Sequence, residues 1–136
     1  MQFNVFVDTA AWIALLNKDD KYHQDARRVM QMLQQQQAYF ITSEFVLLEV
    51  ADALSSPAIR PKTIGFINGL RNLPRIEIVA ATNELIADAW ELYSARLDKE
   101  WGLTDCTSFV IMRQQKITQA FTSDHHFSQA RFSKLM

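Results

Sequence analysis

The alternation of apolar and polar positions along the 136-residue chain predicts strands that alternate with helices. The short apolar run 3–7 has the length of a strand, and residues 10–16 change directly to a helix-forming composition. Residues 23–37 carry apolar side chains at helical spacing, and residues 39–42 have the composition of a second strand. The pattern then predicts helices over 43–54, 61–73, 82–97 and 104–115, and strands over 76–79 and 119–122.

This order of elements favours an α/β fold. Strands that alternate with helices form a parallel central sheet with helices on both faces, and the sites of such sheets lie at the carboxyl ends of the strands. The length suits one hydrophobic core, and no linker or internal repeat divides the chain. We therefore expect residues 1–136 to form a single domain.

The composition narrows the class of protein. Hydrophobic residues at 49% and charged residues at 21% are typical of a folded globular chain rather than a disordered one. No apolar run approaches the roughly 20 residues of a membrane span, and the first residues lack the basic start of a signal peptide. We therefore expect a cytoplasmic protein with no membrane partner. A single cysteine, Cys106, excludes an internal disulfide and disfavours a Cys/His zinc site.

The formal net charge of -1 gives no overall electrostatic reason to bind nucleic acid. Any contact with nucleic acid must therefore be local. Six basic residues could form a rim for such a contact, although solvated helix faces are the favoured explanation of each of them. They are Arg27, Arg28, Arg60, Lys62, Arg71 and Arg75.

Four acidic residues lie where apolar runs begin or end. Asp8 follows the first strand, Glu49 continues an apolar run of the third helix, Asp105 opens another such run, and Asp124 follows the last strand. Carboxylates gathered from distant parts of a chain repel one another unless a cation offsets their charge. Because Mg²⁺ and Mn²⁺ prefer oxygen ligands, the four acids predict a carboxylate metal site.

Each acid also has an ordinary structural interpretation. Asp8 can cap the helix that follows it, Asp105 can complement the positive end of a helix dipole, and Asp124 can cap a short segment that starts at His125. On a helical wheel Glu49 falls among apolar residues, which predicts a buried carboxylate. Such a group needs a partner, either a metal or a cation from another segment.

Four segments that contain these acids resemble the four acidic motifs of PIN-domain ribonucleases. They are Phe6-Val7-Asp8-Thr9, Ser43-Glu44-Phe45-Val46-Leu47-Leu48-Glu49-Val50, Leu103-Thr104-Asp105-Cys106 and Thr122-Ser123-Asp124. The length and helix order are further similar to the VapC-type toxins of bacterial toxin-antitoxin pairs. This resemblance implies a PIN-like fold, Mg²⁺- or Mn²⁺-dependent endonucleolytic cleavage of an RNA substrate, and a small antitoxin protein as partner. Whether a homodimer forms is left open.

The resemblance assigns residues as well as an activity. Asp8, Glu49 and Asp105 match the three principal metal-site acids of the family, and Asp124 matches a more variable fourth, so all four are candidate catalytic residues and metal ligands. Hydroxyl positions that accompany them match Thr9 and Ser123. Where similar sequences tend to have a glycine after the fourth motif, this chain has Arg131.

Residues of this kind suit phosphodiester hydrolysis, because a metal can lower the pKa of a bound water and neutralise charge developing on the phosphate. The sequence offers no well-placed His or Lys base. We therefore expect water to be the nucleophile and a carboxylate to accept its proton. His125 and His126 are interpreted as surface or helix-start residues, and Cys106 as a buried structural cysteine rather than a nucleophile.

Two alternatives remain beside a toxin. The chain could be a non-catalytic PIN-fold module that binds RNA or protein, or a housekeeping RNA-processing nuclease. An antitoxin would cover apolar residues on the helices 23–37 and 61–73, although core packing explains those residues equally well. The residues are Met30, Leu33, Phe66, Ile67 and Leu70.

Overall fold

The computed structural model describes residues 2–136, which form five strands and seven helices. The strands are β1 (Asn4–Val7), β2 (Tyr39–Ser43), β3 (Ile76–Val79), β4 (Gln119–Phe121) and β5 (Ser133–Lys134). They form one sheet in the order β3-β2-β1-β4-β5, and every neighbouring pair is parallel. The predicted α/β fold with a parallel central sheet is confirmed.

The helices connect consecutive strands. They are α1 (Thr9–Leu16), α2 (His23–Gln35), α3 (Glu44–Ala53), α4 (Arg60–Leu70), α5 (Asn83–Ala95), α6 (Leu103–Gln114) and α7 (His125–Gln129). Predicted start signals operate at two of them: the Ser43 hydroxyl accepts a bond from the Val46 N–H, and Pro61 lies in the first turn of α4. The sequence predicts only a short segment where α7 lies and no strand at β5.

Helices cover both faces of the sheet. Successive side chains of a strand point to opposite faces, and Val5, Phe6 and Val7 of β1 are all fully buried. Aromatic packing ties α6 and α7 to this core, because the Phe109 ring lies edge-on to Phe127 with their centroids 4.9 Å apart. The Phe127 ring also stacks on Phe6 of β1, the central strand of the sheet.

The order in which strands are added to the sheet reverses beside β1. Strands β2 and β3 extend the sheet on one side, and the chain then crosses to β4 on the other side. The carboxyl ends of β1 and β4 therefore meet at the point where the strand order reverses, which is where α/β sheets form their binding crevices.

The apolar surface differs from the one expected for a partner. Leu33 and Leu70 are buried, and the other three named residues, Met30, Phe66 and Ile67, pack against the core, so core packing explains all five. Other apolar residues are exposed instead, among them Leu48 on α3 and Ile64 on α4, at 61% and 54% exposure. Across residues 2–136, every helix is too short or too polar to span a membrane.

Candidate active site

Asp8 is held at the junction of β1 and α1. Its N–H donates to the Phe121 carbonyl of β4 at 3.1 Å, and its own carbonyl accepts bonds from the first turn of α1. The side chain is only 5% exposed, and the Thr122 hydroxyl donates to its Oδ2 at 2.8 Å. Asp8 therefore carries its carboxylate into the crevice between β1 and β4, where it is bound by a residue that follows β4.

The environment of Asp8 disfavours its charge. Burial raises the pKa of Asp8 from 3.8 to about 7, and the hydrogen bonds from Thr122 and the Thr9 backbone oppose this rise only in part. The charges of Asp105 and Asp124 make the smallest contributions to this rise. Asp8, Asp105 and Asp124 thus lie close enough to repel one another, although 116 residues of sequence separate the outer two.

Asp105 lies in the first turn of α6. Its Oδ2 accepts the Gly102 N–H at 3.2 Å and faces Nδ1 of His126 at 3.0 Å. Burial and then the charge of Asp124 raise the pKa of Asp105, whereas the bonds from His126 and Gly102 lower it. The helix-start role that the sequence allowed for this acid is therefore present, and it coexists with a position beside Asp8.

Asp124 also caps a helix while lying in the site. Its Oδ1 accepts the His126 N–H at 2.9 Å and so starts α7, and its own N–H donates to the Thr122 hydroxyl at 3.0 Å. His126 Nδ1 lies 3.4 Å from the same Oδ1. The capping interpretation of Asp124 is thus correct as far as local structure goes, and the cap fixes its carboxylate near the other two.

The predicted burial of Glu49 is wrong, because Glu49 is exposed. The buried face of α3 is formed by Val46, Leu47 and Val50, so Glu49 lies at the edge of that face. Its Oε1 accepts a 2.5 Å bond from the hydroxyl of Thr9, the residue after Asp8. The partner of Glu49 is thus the Thr9 hydroxyl at the margin of the site. Because Glu49 is exposed and has this partner, the argument that its buried charge requires a metal does not apply.

Two residues of this cluster were not identified as site residues from the sequence. Thr122 bonds both Asp8 and Asp124, and its place follows from the register of β1 and β4, in which Val7 lies opposite Phe121. His126 was interpreted as a surface or helix-start residue; it does start α7, and its ring also reaches Asp105. The only sequence signal for His126 was its spacing of two residues from Asp124.

The donor set of the cluster suits a hard divalent cation. The groups that act on Asp8 are two hydrogen-bond donors and two further acids, so a cation would relieve a repulsion that these contacts leave standing. Asp8, Asp105 and Asp124 can supply oxygen ligands, with Glu49 at the margin. Asp124, His125 and His126 also offer ligand atoms within 4.8 Å of one another, a more nitrogen-rich set.

Cys106 does not supply a reactive thiolate to this cluster. It is fully buried on α6, and burial raises the pKa of its thiol. The interpretation of Cys106 as a structural cysteine is therefore confirmed.

The fold and the acidic crevice define a known class of protein. The sequence matches the family model of the PIN domain over residues 5–133. The chain belongs to the PIN-domain family, and the predicted resemblance is confirmed.

One relative is similar to this protein over nearly the whole chain. The chain is 32% identical to the 23S rRNA-specific endonuclease VapC20 of Mycobacterium tuberculosis, over 94% of this chain and 95% of the relative. The crystal structure of that protein, described as a sarcin-ricin loop cleaving toxin, superposes with a TM-score of 0.82 at 29% identity and covers 94% of this chain and 95% of that one.

Two more distant structures share the fold alone. VapBC2 from Rickettsia felis, bound to a DNA fragment from its promoter, has a TM-score of 0.70 at 15% identity and covers 97% of both chains. FitAcB from Neisseria gonorrhoeae has a TM-score of 0.65 at 17% identity and covers 96% of this chain and 95% of that one.

Proposed function

We propose that this protein is an endoribonuclease that hydrolyses RNA with Mg²⁺ or Mn²⁺ held by Asp8, Asp105 and Asp124, with Glu49 at the margin, and that it is the toxin of a toxin-antitoxin pair. The observation that carries the proposal is the convergence of three carboxylates beside the carboxyl ends of β1 and β4, where burial, with smaller contributions from Asp105 and Asp124, raises the pKa of Asp8 to about 7. Carboxylates arranged in this way suit phosphodiester hydrolysis.

The protein groups of the crevice have separate tasks in this proposal. Asp8 is the buried central ligand, oriented by the Thr122 hydroxyl. Asp105 and Asp124 complete the ligand set from the starts of two helices, and Glu49 is held by Thr9 where it can accept a proton from the attacking water. When bound, the cation supplies charge neutralisation at the phosphate and a more acidic water.

We propose 23S ribosomal RNA as the substrate, with the sarcin-ricin loop as the cleaved element. The support is the identity of 32% to VapC20, a 23S rRNA-specific endonuclease, over nearly the whole of both chains. An RNA loop is also a suitable substrate, because its unpaired bases can be splayed out so that the backbone approaches the acids, whereas the bases of a duplex stay paired.

The test is cleavage of purified 23S rRNA in Mg²⁺ or Mn²⁺, with the new 5′ ends mapped by primer extension. We expect one dominant cut in the wild type, and loss of most of the activity in Asp8→Asn and Glu49→Gln. Asp25→Asn is the matched control, because Asp25 is an exposed acid on α2 that pairs with Arg28 at 3.0 Å. That variant should cleave like the wild type.

Three results would contradict parts of this proposal. Cleavage that survives Asp8→Asn would show that these acids are not required for the reaction. RNA binding without cleavage, indifferent to Asp8→Asn, would favour the non-catalytic PIN module. An active nuclease that cells tolerate at high expression would favour a housekeeping role in RNA processing.

The proposed partner is a small antitoxin whose apolar segment covers the groove between α3 and α4. This groove has a volume of about 320 Å³, its apolar wall is formed by Leu47, Leu48, Ala51 and Ile67, and Leu48 is 61% exposed. Because Leu48 is so exposed, Leu48→Lys should fold normally yet escape the antitoxin in a co-expression growth assay. Undiminished protection would place the antitoxin elsewhere. A homodimer stays a prediction that solution mass measurements can check.

A further inference from the structure

His126 connects the two helix starts that carry site acids. Its ring is 18% exposed, and its Nδ1 lies 3.0 Å from Oδ2 of Asp105 and 3.4 Å from Oδ1 of Asp124. The His126 backbone N–H is meanwhile capped by Asp124. One residue of α7 therefore contacts both acids that flank Asp8, and its ring crosses from α7 to α6.

With Asp105 ionised, this contact requires the ring proton of His126 to lie on Nδ1. An ionised carboxylate has no hydrogen to donate, so a bond between it and Nδ1 requires the proton on Nδ1. Oδ2 of Asp105 then accepts two bonds, one from His126 and one from the Gly102 N–H. With Oδ2 occupied, Oδ1 is the atom of Asp105 that is available as a ligand.

We propose that His126 is a positioning residue for Asp105, which it orients by donating its Nδ1–H to Oδ2. This inference rests on the proposed function, because it assigns a task within the same acidic crevice. Hydrogen-bond donors that hold a ligating carboxylate fix its orientation, and their removal typically lowers metal affinity or activity about 10- to 100-fold. His126 thus touches neither substrate nor cation and acts through Asp105.

The competing role is that of a direct metal ligand. Asp124, His125 and His126 could form a nitrogen-containing site of their own, since their ligand atoms lie within 4.8 Å of one another. The two roles differ in what can replace the imidazole. A side-chain amide can donate a hydrogen bond from nearly the place of Nδ1, but it is a poor substitute for an imidazole ligand.

The experiment measures Mn²⁺ binding by calorimetry, without RNA, in the wild type and in His126→Ala and His126→Asn. We expect about a 10-fold loss of affinity in His126→Ala, with unchanged stoichiometry, and recovery of most of that affinity in His126→Asn, whose amide can still donate to Asp105. In RNA cleavage, kcat should fall in the same order while KM for RNA stays constant.

Gln129→Ala is the matched control. Its Oε1 accepts the Trp101 Nε1–H at 3.0 Å, a second bond that ties α7 to the segment before α6 and involves no carboxylate. If His126 merely anchored α7, Gln129→Ala would reduce Mn²⁺ affinity as His126→Ala does. We expect Gln129→Ala to bind Mn²⁺ like the wild type.

Nitrogen-15 spectra of the histidine rings give a readout that is independent of activity, and the proposal requires the proton of neutral His126 on Nδ1. A proton on Nε2, wild-type Mn²⁺ affinity in His126→Ala, or failure of His126→Asn to recover any affinity would each overturn the proposal. If the wild type bound Mn²⁺ but cleaved no RNA, the proposed function would fail, while calorimetry and the spectra would still decide the role of His126.

Discussion

Asp8 is a carboxylate that the fold keeps from ionising easily. It is almost fully buried between β1 and β4, and its partners are a hydroxyl, a backbone N–H and two like charges. A carboxylate of this kind stabilises the folded protein while it is protonated and destabilises it once ionised. The arrangement makes structural sense if a cation occupies the crevice when the protein works.

The first prediction concerns the effect of pH on Asp8 without metal. Below about pH 4 Asp8 is protonated in both the folded and the unfolded state. As pH rises towards 7 the unfolded state releases its proton first, because the folded pKa is about 7, so the free energy of unfolding falls through this window. The fall caused by one carboxylate is at most about 1.4 kcal/mol per pH unit. Urea titrations in EDTA should show that Asp8→Asn removes it. A variant as pH-dependent as the wild type would contradict the raised pKa.

A second prediction concerns the Thr122 hydroxyl, which donates to Asp8 and accepts from the Asp124 N–H. Thr122→Val keeps the shape of this fully buried side chain but leaves both groups without that partner, at a cost of about 1 to 3 kcal/mol. The loss should be greater at pH 8 than at pH 5, because the hydroxyl favours ionised Asp8. Thr122→Ser should restore stability at both values. An equal loss of stability at both pH values would mean that the Thr122 hydroxyl does not favour the ionised form of Asp8.

Single residues of the site were only partly predictable from the sequence. Asp8, Asp105 and Asp124 could be proposed because each follows or precedes an apolar run, and the structure does bring them together. Glu49 was placed in the core because a helical wheel cannot tell the edge of a buried face from its centre. His126 could not be assigned, because its contact with Asp105 crosses between two helices 21 residues apart.

At the scale of elements, the sequence predicts the starts of α1 to α6 to within one residue and their ends to within three. Two residues after the last residue of α2, α6 and α7 lies a non-glycine residue with positive φ: Gln37 at 56°, Lys116 at 58° and Arg131 at 73°. In each case the next N–H reaches back to a carbonyl five residues earlier, as from Phe132 to Phe127. Glycine usually marks this geometry, and these three turns form without it. The short α7 and β5 gave too little periodicity to be predicted.

A third prediction follows for Arg131, whose backbone has a conformation that favours glycine. A side chain at φ 73° is strained, and glycine would relieve that strain at some cost in unfolded-state entropy. Arg131→Gly should therefore stabilise the protein by up to about 1 kcal/mol, seen as a higher melting temperature. Arg131→Ala is the control, since it keeps the Cβ and should bring no gain. Equal melting temperatures for the two variants would argue against backbone strain.

For the whole molecule, the alternation of strands and helices was sufficient to predict a parallel sheet, because its βαβ connections allow few topologies. It did not give the order β3-β2-β1-β4-β5 or the register that sets Val7 opposite Phe121. Those features decide which loops meet. The sequence could thus predict which acids lie at strand ends, but not the distances and contacts between them. The single domain and the cytoplasmic location stay predictions.

A fourth prediction concerns the stability of the whole protein with and without metal. Without metal, Asp105→Asn should raise the melting temperature, because burial and Asp124 make the charge of Asp105 unfavourable. Mg²⁺ at roughly 100 times its dissociation constant should stabilise the wild type by about 2.7 kcal/mol, and the variant by much less. Melting curves in EDTA and in Mg²⁺ provide the test. If the variant melted lower in EDTA yet kept the full Mg²⁺ response, Asp105 would be a helix-start residue and not a ligand.

The central claim is that a divalent cation held by these acids is required for RNA cleavage. It is tested most directly by stripping the protein with EDTA and following cleavage of 23S rRNA as Mg²⁺ or Mn²⁺ is added back to the wild type and to Asp105→Asn. We expect no cleavage in EDTA, a rate that rises and saturates with either metal in the wild type, and a rate near background in the variant. Cleavage by the wild type that continues undiminished in excess EDTA would contradict it.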